Sequence, residues 1–335
     1  MTTGDRPGGD WAGRTVLVTG CGGFLGGRLA RALGHRSARV LGLIQAGAGT
    51  VPAADNAGDA AGFEPVAGDV RDIDSLAAVF REHRVSVVFH LAALASPSLS
   101  RGDPLRAFEV NTRGTWNLLE ACRTAGSVPK VVLASSDSVY GESDGSAFTE
   151  AMAISPGFPY EASKACAEIA ARCYVATYGM QVAIARFCNI YGPGDTTQSR
   201  LIVSTIEAAL TARRMELHGD GSSMRNYLYV DDAVTALIGV AERLGDGAFA
   251  DNVLNICDDT PYSVLDIVRR VFGLTGQEAL TPILGSGAHG EISIKFASAA
   301  KARDLLGWRP GVSLDEGLRR TIAWHRDRMA RVTPG

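Results

Sequence analysis

Short apolar runs without polar alternation recur along the first half of the chain, and segments with helical spacing lie between most of them. The runs occupy residues 14–19, 38–44, 64–67, 85–91, 130–134 and 181–186. Helical spacing of apolar residues is found at 26–33, 74–84, 105–125 and 160–178. Strands that are apolar on both faces and alternate with helices are typical of a parallel sheet covered on both sides. The pattern therefore predicts a doubly wound α/β fold.

The pattern changes after about Ile190. Helical spacing continues at 199–213, 231–244 and 263–272, and residues 216–218 are a strand candidate. These segments predict a smaller C-terminal lobe that binds the substrate. We expect a tail at 1–13, a first domain at 14–189 and a lobe at 190–330, with some lobe segments returning to the first domain.

Composition and charge narrow the class of protein. The chain has 335 residues, of which 46% are hydrophobic and 21% charged, as in ordinary globular proteins. A net charge of −3 gives no reason to expect nucleic acid or an anionic membrane as a partner. No apolar run is long enough to span a membrane, so we expect a cytoplasmic protein. Six cysteines without a C-x-x-C pair predict reduced, mostly buried thiols and no metal site.

A glycine-rich segment follows the first predicted strand and opens the first predicted helix. It contains Gly20, Gly23 and Gly26, with Phe24 and Leu25 between the last two. This context predicts a dinucleotide-binding turn, in which glycines allow a tight turn, close approach to a pyrophosphate and close helix packing. The spacing of three residues between glycines differs from the G-x-G-x-x-G pattern.

The ends of the next strands offer further cofactor contacts. The second strand ends without the acidic residue that binds a ribose hydroxyl and without an arginine for a 2′-phosphate, so NAD and NADP both remain open. Asp69 and Val70 follow the third strand and either reach an adenine or form a plain turn. His90 is interpreted as structural, and small residues after it let a cofactor lie against the backbone: Leu91, Ala92 and Ala93.

Tyr160 and Lys164 lie one helical turn apart and therefore on one face of the predicted helix. A free tyrosine has a pKa near 10, and a neighbouring ammonium favours the phenolate, so the pair can remove a proton from a hydroxyl group. Ser136, at the carboxyl end of another predicted strand, can hydrogen-bond the same substrate oxygen. The alternative interpretation is that Ser136 and the serines next to it, Ser135 and Ser138, only form a polar turn.

Taken together, these motifs resemble the extended short-chain dehydrogenase/reductase family, and within it the nucleotide-sugar epimerases and dehydratases with a Rossmann-type fold. The resemblance covers about residues 14–324. The motifs are Thr19-Gly20…Gly23…Gly26, Asp69-Val70, His90-Leu91-Ala92-Ala93, Asn111-Thr112-Arg113-Gly114-Thr115, Ser135 to Gly141, Tyr160…Lys164, Arg186 to Gly194, Gly219-Asp220-Gly221…Arg225 and Tyr229-Val230-Asp231-Asp232.

The resemblance implies a role for each site residue. Tyr160 would act as the base, Lys164 would bind the nicotinamide ribose and Ser136 would assist at the sugar oxygen, while Asn111 would belong to the cofactor site. Residues expected to bind the nucleotide-diphosphate sugar are Ser138, Asn189, Arg225 and, more weakly, Arg200. The cofactor would be NAD, with NADP not excluded, and the helices at 105–125 and 160–178 would form a homodimer.

The specific reaction depends on the two residues after Ser136. Several segments look most like 4,6-dehydratases of CDP-glucose and related sugars, which carry an acidic residue followed by Glu or Lys at this place. Here Asp137 is present, but Ser138 follows it and is a poor base. We therefore expect a sugar 4-epimerase, with a 4,6-dehydratase as the alternative. A ketoreductase and a non-catalytic NAD(P) sensor are further alternatives.

Overall fold

The computed structural model describes residues 11–45, 62–217, 219–246, 252–285 and 294–332. Eleven strands are formed in this part of the chain. They are β1 (Thr15–Thr19), β2 (Arg39–Ile44), β3 (Glu64–Ala67), β4 (Val87–His90), β5 (Lys130–Ser136), β6 (Val182–Phe187), β7 (Asn189–Tyr191), β8 (Met224–Tyr229), β9 (Val253–Ile256), β10 (Pro261–Ser263) and β11 (Ile294–Lys295).

Helices connect these strands. They are α1 (Phe24–Gly34), α2 (Ile73–Glu82), α3 (Pro97–Gly102), α4 (Pro104–Ala107), α5 (Gly114–Thr124), α6 (Pro159–Tyr178), α7 (Leu201–Leu210), α8 (Val230–Arg243), α9 (Val264–Thr275), α10 (Ala300–Leu306) and α11 (Leu314–Val332). A π-helical segment, Phe108–Arg113, joins α4 to α5, and a 3₁₀ turn, Asp137–Tyr140, follows β5. No helix of the described ranges is long and apolar enough to cross a bilayer.

The main sheet has seven parallel strands in the order β3-β2-β1-β4-β5-β6-β9. The strand order reverses between β1 and β4, and in open α/β sheets ligands bind at the carboxyl ends of the strands at such a switch point. The predicted doubly wound α/β fold is confirmed. The glycine turn after β1 and the segment after β4 lie side by side at this switch point.

Alternate residues of the sheet strands pack into two cores. Val16 and Val18 of β1 belong to the core that includes α1 and α8, whereas Leu17 faces the core formed with α2, α5 and α6. These positions are fully buried because helices cover both faces of the sheet. A third core lies in the C-terminal lobe and includes residues of α7, α9 and α11.

The C-terminal lobe is built on a small sheet around β8. Strand β10 pairs antiparallel to β8, while β11 and β7 pair parallel to it. Strand β9 comes from the same half of the chain but forms the outer strand of the main sheet. The boundary between 189 and 190 stays a prediction.

Some local predictions differ from the structure. The helix predicted at 105–125 is divided by the π-helical segment, and the strand predicted at 216–218 is a single bridge between Glu216 and Ile283, with His218 outside the described residues. The prediction of mostly buried thiols is confirmed for four of the six cysteines, while Cys166 and Cys173 are exposed on α6. The two cysteines lie about two turns apart and therefore share one exposed face of this 20-residue helix, which apolar composition alone does not reveal.

Gly26 provides a test of the packing at the start of α1. A Cβ atom at Gly26 would overlap the carbonyl oxygen of Gly20, which belongs to backbone and cannot rotate away. We expect Gly26→Ala to lower the free energy of unfolding by about 1–3 kcal/mol, as overpacking does. The measurement is denaturant unfolding, with Gly126→Ala as the control because no atom lies within 4 Å of its added Cβ. Equal stability of the two variants would contradict this packing.

Candidate active site

The glycine turn forms a cradle for an anion at the carboxyl end of β1. Gly20 has φ of +72°, and a Cβ there would lie 2.8 Å from the backbone nitrogen of Ala92. Gly23 precedes α1, and no side chain caps its first turn, which also contains no acidic residue. The first N–H groups of this helix therefore remain available to a phosphate. The turn fits the pyrophosphate of a dinucleotide, with Phe24 and Leu25 partly buried behind it.

A chain of hydrogen bonds fixes the segment after β4 against this turn. Thr19 Oγ1 accepts the N–H groups of Leu91 and Ala92, at 3.2 and 3.1 Å. Its own proton therefore points to His90 Nδ1, 2.8 Å away, which leaves the ring proton on Nε2. His90 Nε2 then donates to Thr115 Oγ1 at 3.1 Å. His90 is buried in this network and has a positioning role, while Ala92 and Ala93 leave the backbone open to a flat ligand.

Asn111 lies in the π-helical segment, and π-helical turns are frequent at functional sites. Its side chain accepts the N–H of Leu94 at 2.7 Å and donates to Ser163 Oγ at 2.9 Å. Ser163 Oγ in turn donates to the carbonyl oxygen of Tyr160. Asn111 therefore connects the segment after β4 to the first turn of α6, and its fully buried amide orders the site around Tyr160.

Asp69 and Val70 lie at the end of β3 as predicted. The Asp69 carboxylate accepts hydrogen bonds from Arg71, at 2.6 Å for the shortest, and from Gln45 at 3.1 Å. The hydrogen bonds from Arg71 lower the pKa of Asp69. Val70 is buried, and a Cβ on Gly114 would lie 2.7 Å from its Cγ2. These contacts fix the segment that follows β3 at the carboxyl end of the sheet.

Lys164 is anchored to the main sheet. Its Nζ donates to the carbonyl oxygen of Ala134 in β5 at 2.5 Å. Burial lowers the pKa of Lys164 to about 8, although the charge of Glu168 opposes this shift. Lys164 therefore has a fixed ammonium, and its other two N–H donors, which no described residue is shown to accept, suit ribose hydroxyls.

Tyr160 lies half-buried beside Ser136, and burial raises the pKa of its phenol to about 12. A hydrogen bond with Ser136 and the charge of Arg200 oppose the rise, whereas Asp137 adds to it. Burial therefore outweighs the charges that favour the phenolate, and the lowering of the phenol pKa by Lys164 stays a prediction. Lys164 donates to the Ala134 carbonyl, and among the described residues Arg200 supplies the positive charge that lowers the pKa of the phenol, less than burial raises it.

Ser136 is the shared partner of the residues that follow it. Its Oγ accepts the N–H of Ser138 at 3.1 Å and the hydroxyl of Ser138 at 2.9 Å, and donates weakly to Asp137 Oδ1 at 3.4 Å. Ser138 thus supports the Ser136 hydroxyl. Asp137 is only 6% exposed, and its Oδ2 has no hydrogen-bond partner among the described residues. Burial raises the pKa of Asp137, while Lys295 and Arg225 oppose the shift.

A buried ion pair supports the floor of the site. Arg186 and Glu168 are joined at 2.6 Å with fully buried side chains. Glu168 also accepts the hydroxyl of Ser135 at 2.5 Å, and the Arg186 guanidinium lies over the Tyr140 ring at 4.5 Å. Removing one member would leave a buried charge unpaired, so the pair holds α6, β5 and β6 together.

The residues expected to bind the diphosphate lie in the C-terminal lobe. Arg225 is in β8, partly buried, and near enough to Asp137 to influence its charge. Asn189 begins β7, which pairs with β8; it is exposed, and its amide donates to the carbonyl oxygen of Asn226 at 3.2 Å. The structure brings Arg225 to the catalytic groups and leaves Asn189 at the rim.

Arg200 lies on the other side of the site. It forms an ion pair with the buried Asp195 at 2.9 Å, and its guanidinium lies 5.9 Å from the Phe24 ring centroid. Its positive charge also lowers the pKa of the Tyr160 phenol, against the effect of burial. Arg200 therefore lies between the glycine turn and the tyrosine, where a ligand spanning both would pass.

Two buried ionisable residues of the site were not predicted. Glu161 follows Tyr160 and accepts the N–H of Gly157 at 2.9 Å, and Lys295 donates to Glu161 Oε1 at 3.4 Å. Glu161 could have been predicted as a site residue, since it directly follows Tyr160 in the sequence. Lys295 could not have been predicted from the sequence, because it lies 134 residues after Glu161 in a two-residue strand.

Comparison with known proteins places these residues in a wider group. A model of the NAD dependent epimerase/dehydratase family matches residues 16–257. A UDP-glucose 4-epimerase of Mycolicibacterium smegmatis is 33% identical, over 93% of this chain and 99% of that protein. A dTDP-glucose 4,6-dehydratase of Neisseria meningitidis is 30% identical, over 94% of each chain. The crystal structure of a Thermus thermophilus UDP-glucose 4-epimerase in complex with NAD has a TM-score of 0.80 and 31% identity, covering 93% of this chain and 99% of that one.

The buried His90 makes a prediction about pH. Burial, helped by the charge of Lys164, lowers the pKa of His90 to about 3 in the folded protein, below the ordinary value of about 6.5. As the pH falls through 6.5, the unfolded chain binds a proton that the folded protein does not. Stability due to His90 is therefore present above pH 6.5 and is lost between about 6.5 and 3.

We expect His90→Gln to reduce this acid dependence by up to about 1.4 kcal/mol per pH unit. The measurement is the free energy of unfolding of both proteins between about pH 7.5 and pH 5, a range that spans the ordinary histidine pKa of about 6.5. His35→Gln is the control, because His35 is exposed at the end of α1. Parallel pH profiles for His90→Gln and the unmodified protein would contradict the buried neutral ring.

Proposed function

The chain belongs to the NAD-dependent epimerase/dehydratase family. Within this family, we propose that it is a nucleotide-sugar 4-epimerase. It is an NAD-dependent enzyme of nucleotide sugars that acts through a 4-keto intermediate. The grouping of Ser136, Tyr160 and Lys164 near the switch point of the sheet supports oxidation at a sugar hydroxyl, and Ser138 in the place of a second base carries the choice of epimerisation.

The residues divide the first step between them. Tyr160 takes the proton of the sugar's C4 hydroxyl, and Ser136 hydrogen-bonds the same oxygen. Lys164, held by the Ala134 carbonyl, binds the nicotinamide ribose and orients it. Bound NAD would supply the acceptor for the hydride from C4 and the source of its return. The 4-epimerase then requires the keto sugar to turn over before the hydride comes back to the other face.

The absence of a second base at Ser138 favours epimerisation over dehydration. The Ser138 hydroxyl is already a donor to Ser136, and a neutral serine is a poor acceptor for a carbon-bound proton. One observation favours the 4,6-dehydratase as a second candidate. The buried Asp137 has an unpartnered oxygen within the described site, and burial raises its pKa, as suits an acid that protonates a leaving hydroxyl.

We further propose that the enzyme acts as a homodimer with a nucleotide-diphosphate sugar as substrate. Large apolar side chains are exposed on neighbouring helical segments from α4 to α6: Leu105, Phe108, Trp116 and Ile169. An apolar surface shared by these helices is costly to leave in water and suits a second copy of the same surface.

Product analysis in D₂O separates the two candidate reactions. We expect UDP-glucose or dTDP-glucose to be converted to its C4 epimer with protium retained at C5 and the C6 hydroxyl intact, because no base takes the C5 proton. Proton NMR and mass spectrometry of the product measure this directly. A 4-keto-6-deoxy product carrying deuterium at C5 would contradict epimerisation and establish the dehydratase.

A further inference from the structure

Asp137 presents an unused hydrogen-bonding atom to the active site. The residue is only 6% exposed, and Oδ1 has a weak contact with Ser136 at 3.4 Å. Oδ2 is buried without a hydrogen-bond partner within the described ranges. A buried carboxylate oxygen without a partner costs free energy, so the site is organised to supply one from a ligand.

Lys295 presents unused donors to the same region. Its side chain is 8% exposed, and the described residues offer its Nζ one acceptor, Glu161 Oε1, at 3.4 Å. A lysine ammonium has three N–H donors. Lys295 is also the register partner of Arg225 in the parallel pairing of β11 with β8, so both cations project from the same part of the lobe.

Asp137 and Lys295 are close enough for their charges to interact, yet they form no direct ion pair in the described structure. Each is buried and keeps hydrogen-bonding capacity that the described residues do not fill, which is costly unless a third group lies between them. That group must accept from an ammonium and donate to a carboxylate oxygen. A hydroxyl does both, whereas a carboxylate would face the negative charge of Asp137.

We propose that Asp137 and Lys295 clamp one hydroxyl of the bound sugar, at C3 or C6, and so select nucleotide hexoses that carry it. The clamp rests on the proposed function, because Ser136, which holds the C4 oxygen, is adjacent to Asp137 in the chain. Asp137 touches the substrate in this arrangement, and Lys295 is a specificity-determining residue. Glu161, itself held by the Gly157 N–H, orients the Lys295 ammonium.

The test compares binding of UDP-glucose and dTDP-glucose with their 3-deoxy and 6-deoxy counterparts by calorimetry on the NAD-loaded enzyme. The unmodified protein should bind the parent sugar roughly 10–100-fold more tightly than one of the two deoxy sugars, as expected for hydrogen bonds to charged groups. In Lys295→Met this ratio should fall close to one, while affinity for that deoxy sugar stays nearly unchanged. Lys295→Arg keeps a donor and should retain part of the ratio.

Lys301→Met is the matched control, because it removes a partly buried ammonium that donates to the Val253 carbonyl away from the site. Equal binding of all three sugars by the unmodified enzyme, or equal weakening of all three in Lys295→Met, would overturn the clamp alone. Failure of every nucleotide hexose to bind would overturn the clamp and the proposed function together. The deoxy sugar that binds more weakly than the parent sugar identifies which hydroxyl, at C3 or C6, lies between Asp137 and Lys295.

Discussion

The anchoring of helix α6 to strand β5 is the contact on which the active site depends. Lys164 reaches across to the Ala134 carbonyl, and one turn further along the helix Glu168 binds both Ser135 and Arg186. These two attachments fix the rotation and height of the helix, and therefore the distance between Tyr160 and Ser136. The ion pair is fully buried, so its loss would release the helix and leave a charge without a partner.

Close backbone packing also shapes the carboxyl edge of the sheet, where the glycine turn lies. Gly20 lies so near the Ala92 nitrogen that no side chain fits, and the Thr19–His90 hydrogen bond keeps the two segments together. The main sheet supplies the rigid half of the site, and the lobe around β8 supplies Arg225 and Lys295 to the other half. A substrate is therefore held between a fixed catalytic surface and a charged surface that recognises it.

The sequence predicted the main sheet and the helices of the lobe well and the small sheet of the lobe poorly, for physical reasons. Apolar strands such as β4 and β5 can be recognised because burial on both faces permits few other residues. Strand β8 contains Met224, Arg225 and Asn226, and β11 has two residues, so neither has a pattern that separates it from a loop. Tyr160 and Lys164 were found by their spacing along one helix. Lys295 was not found, because its position depends on a fold that brings distant segments together.

The raised pKa of the Tyr160 phenol makes its role as the base the most demanding part of the account. The most direct measurement is the single-turnover absorbance of reduced nicotinamide when the NAD-loaded enzyme meets a nucleotide hexose, for the unmodified protein, Tyr160→Phe and the exposed control Tyr178→Phe. We expect Tyr160→Phe to slow this step by about 10²–10⁴-fold, as loss of a general base does, while NAD affinity is retained. An unchanged rate of nicotinamide reduction in Tyr160→Phe would contradict it.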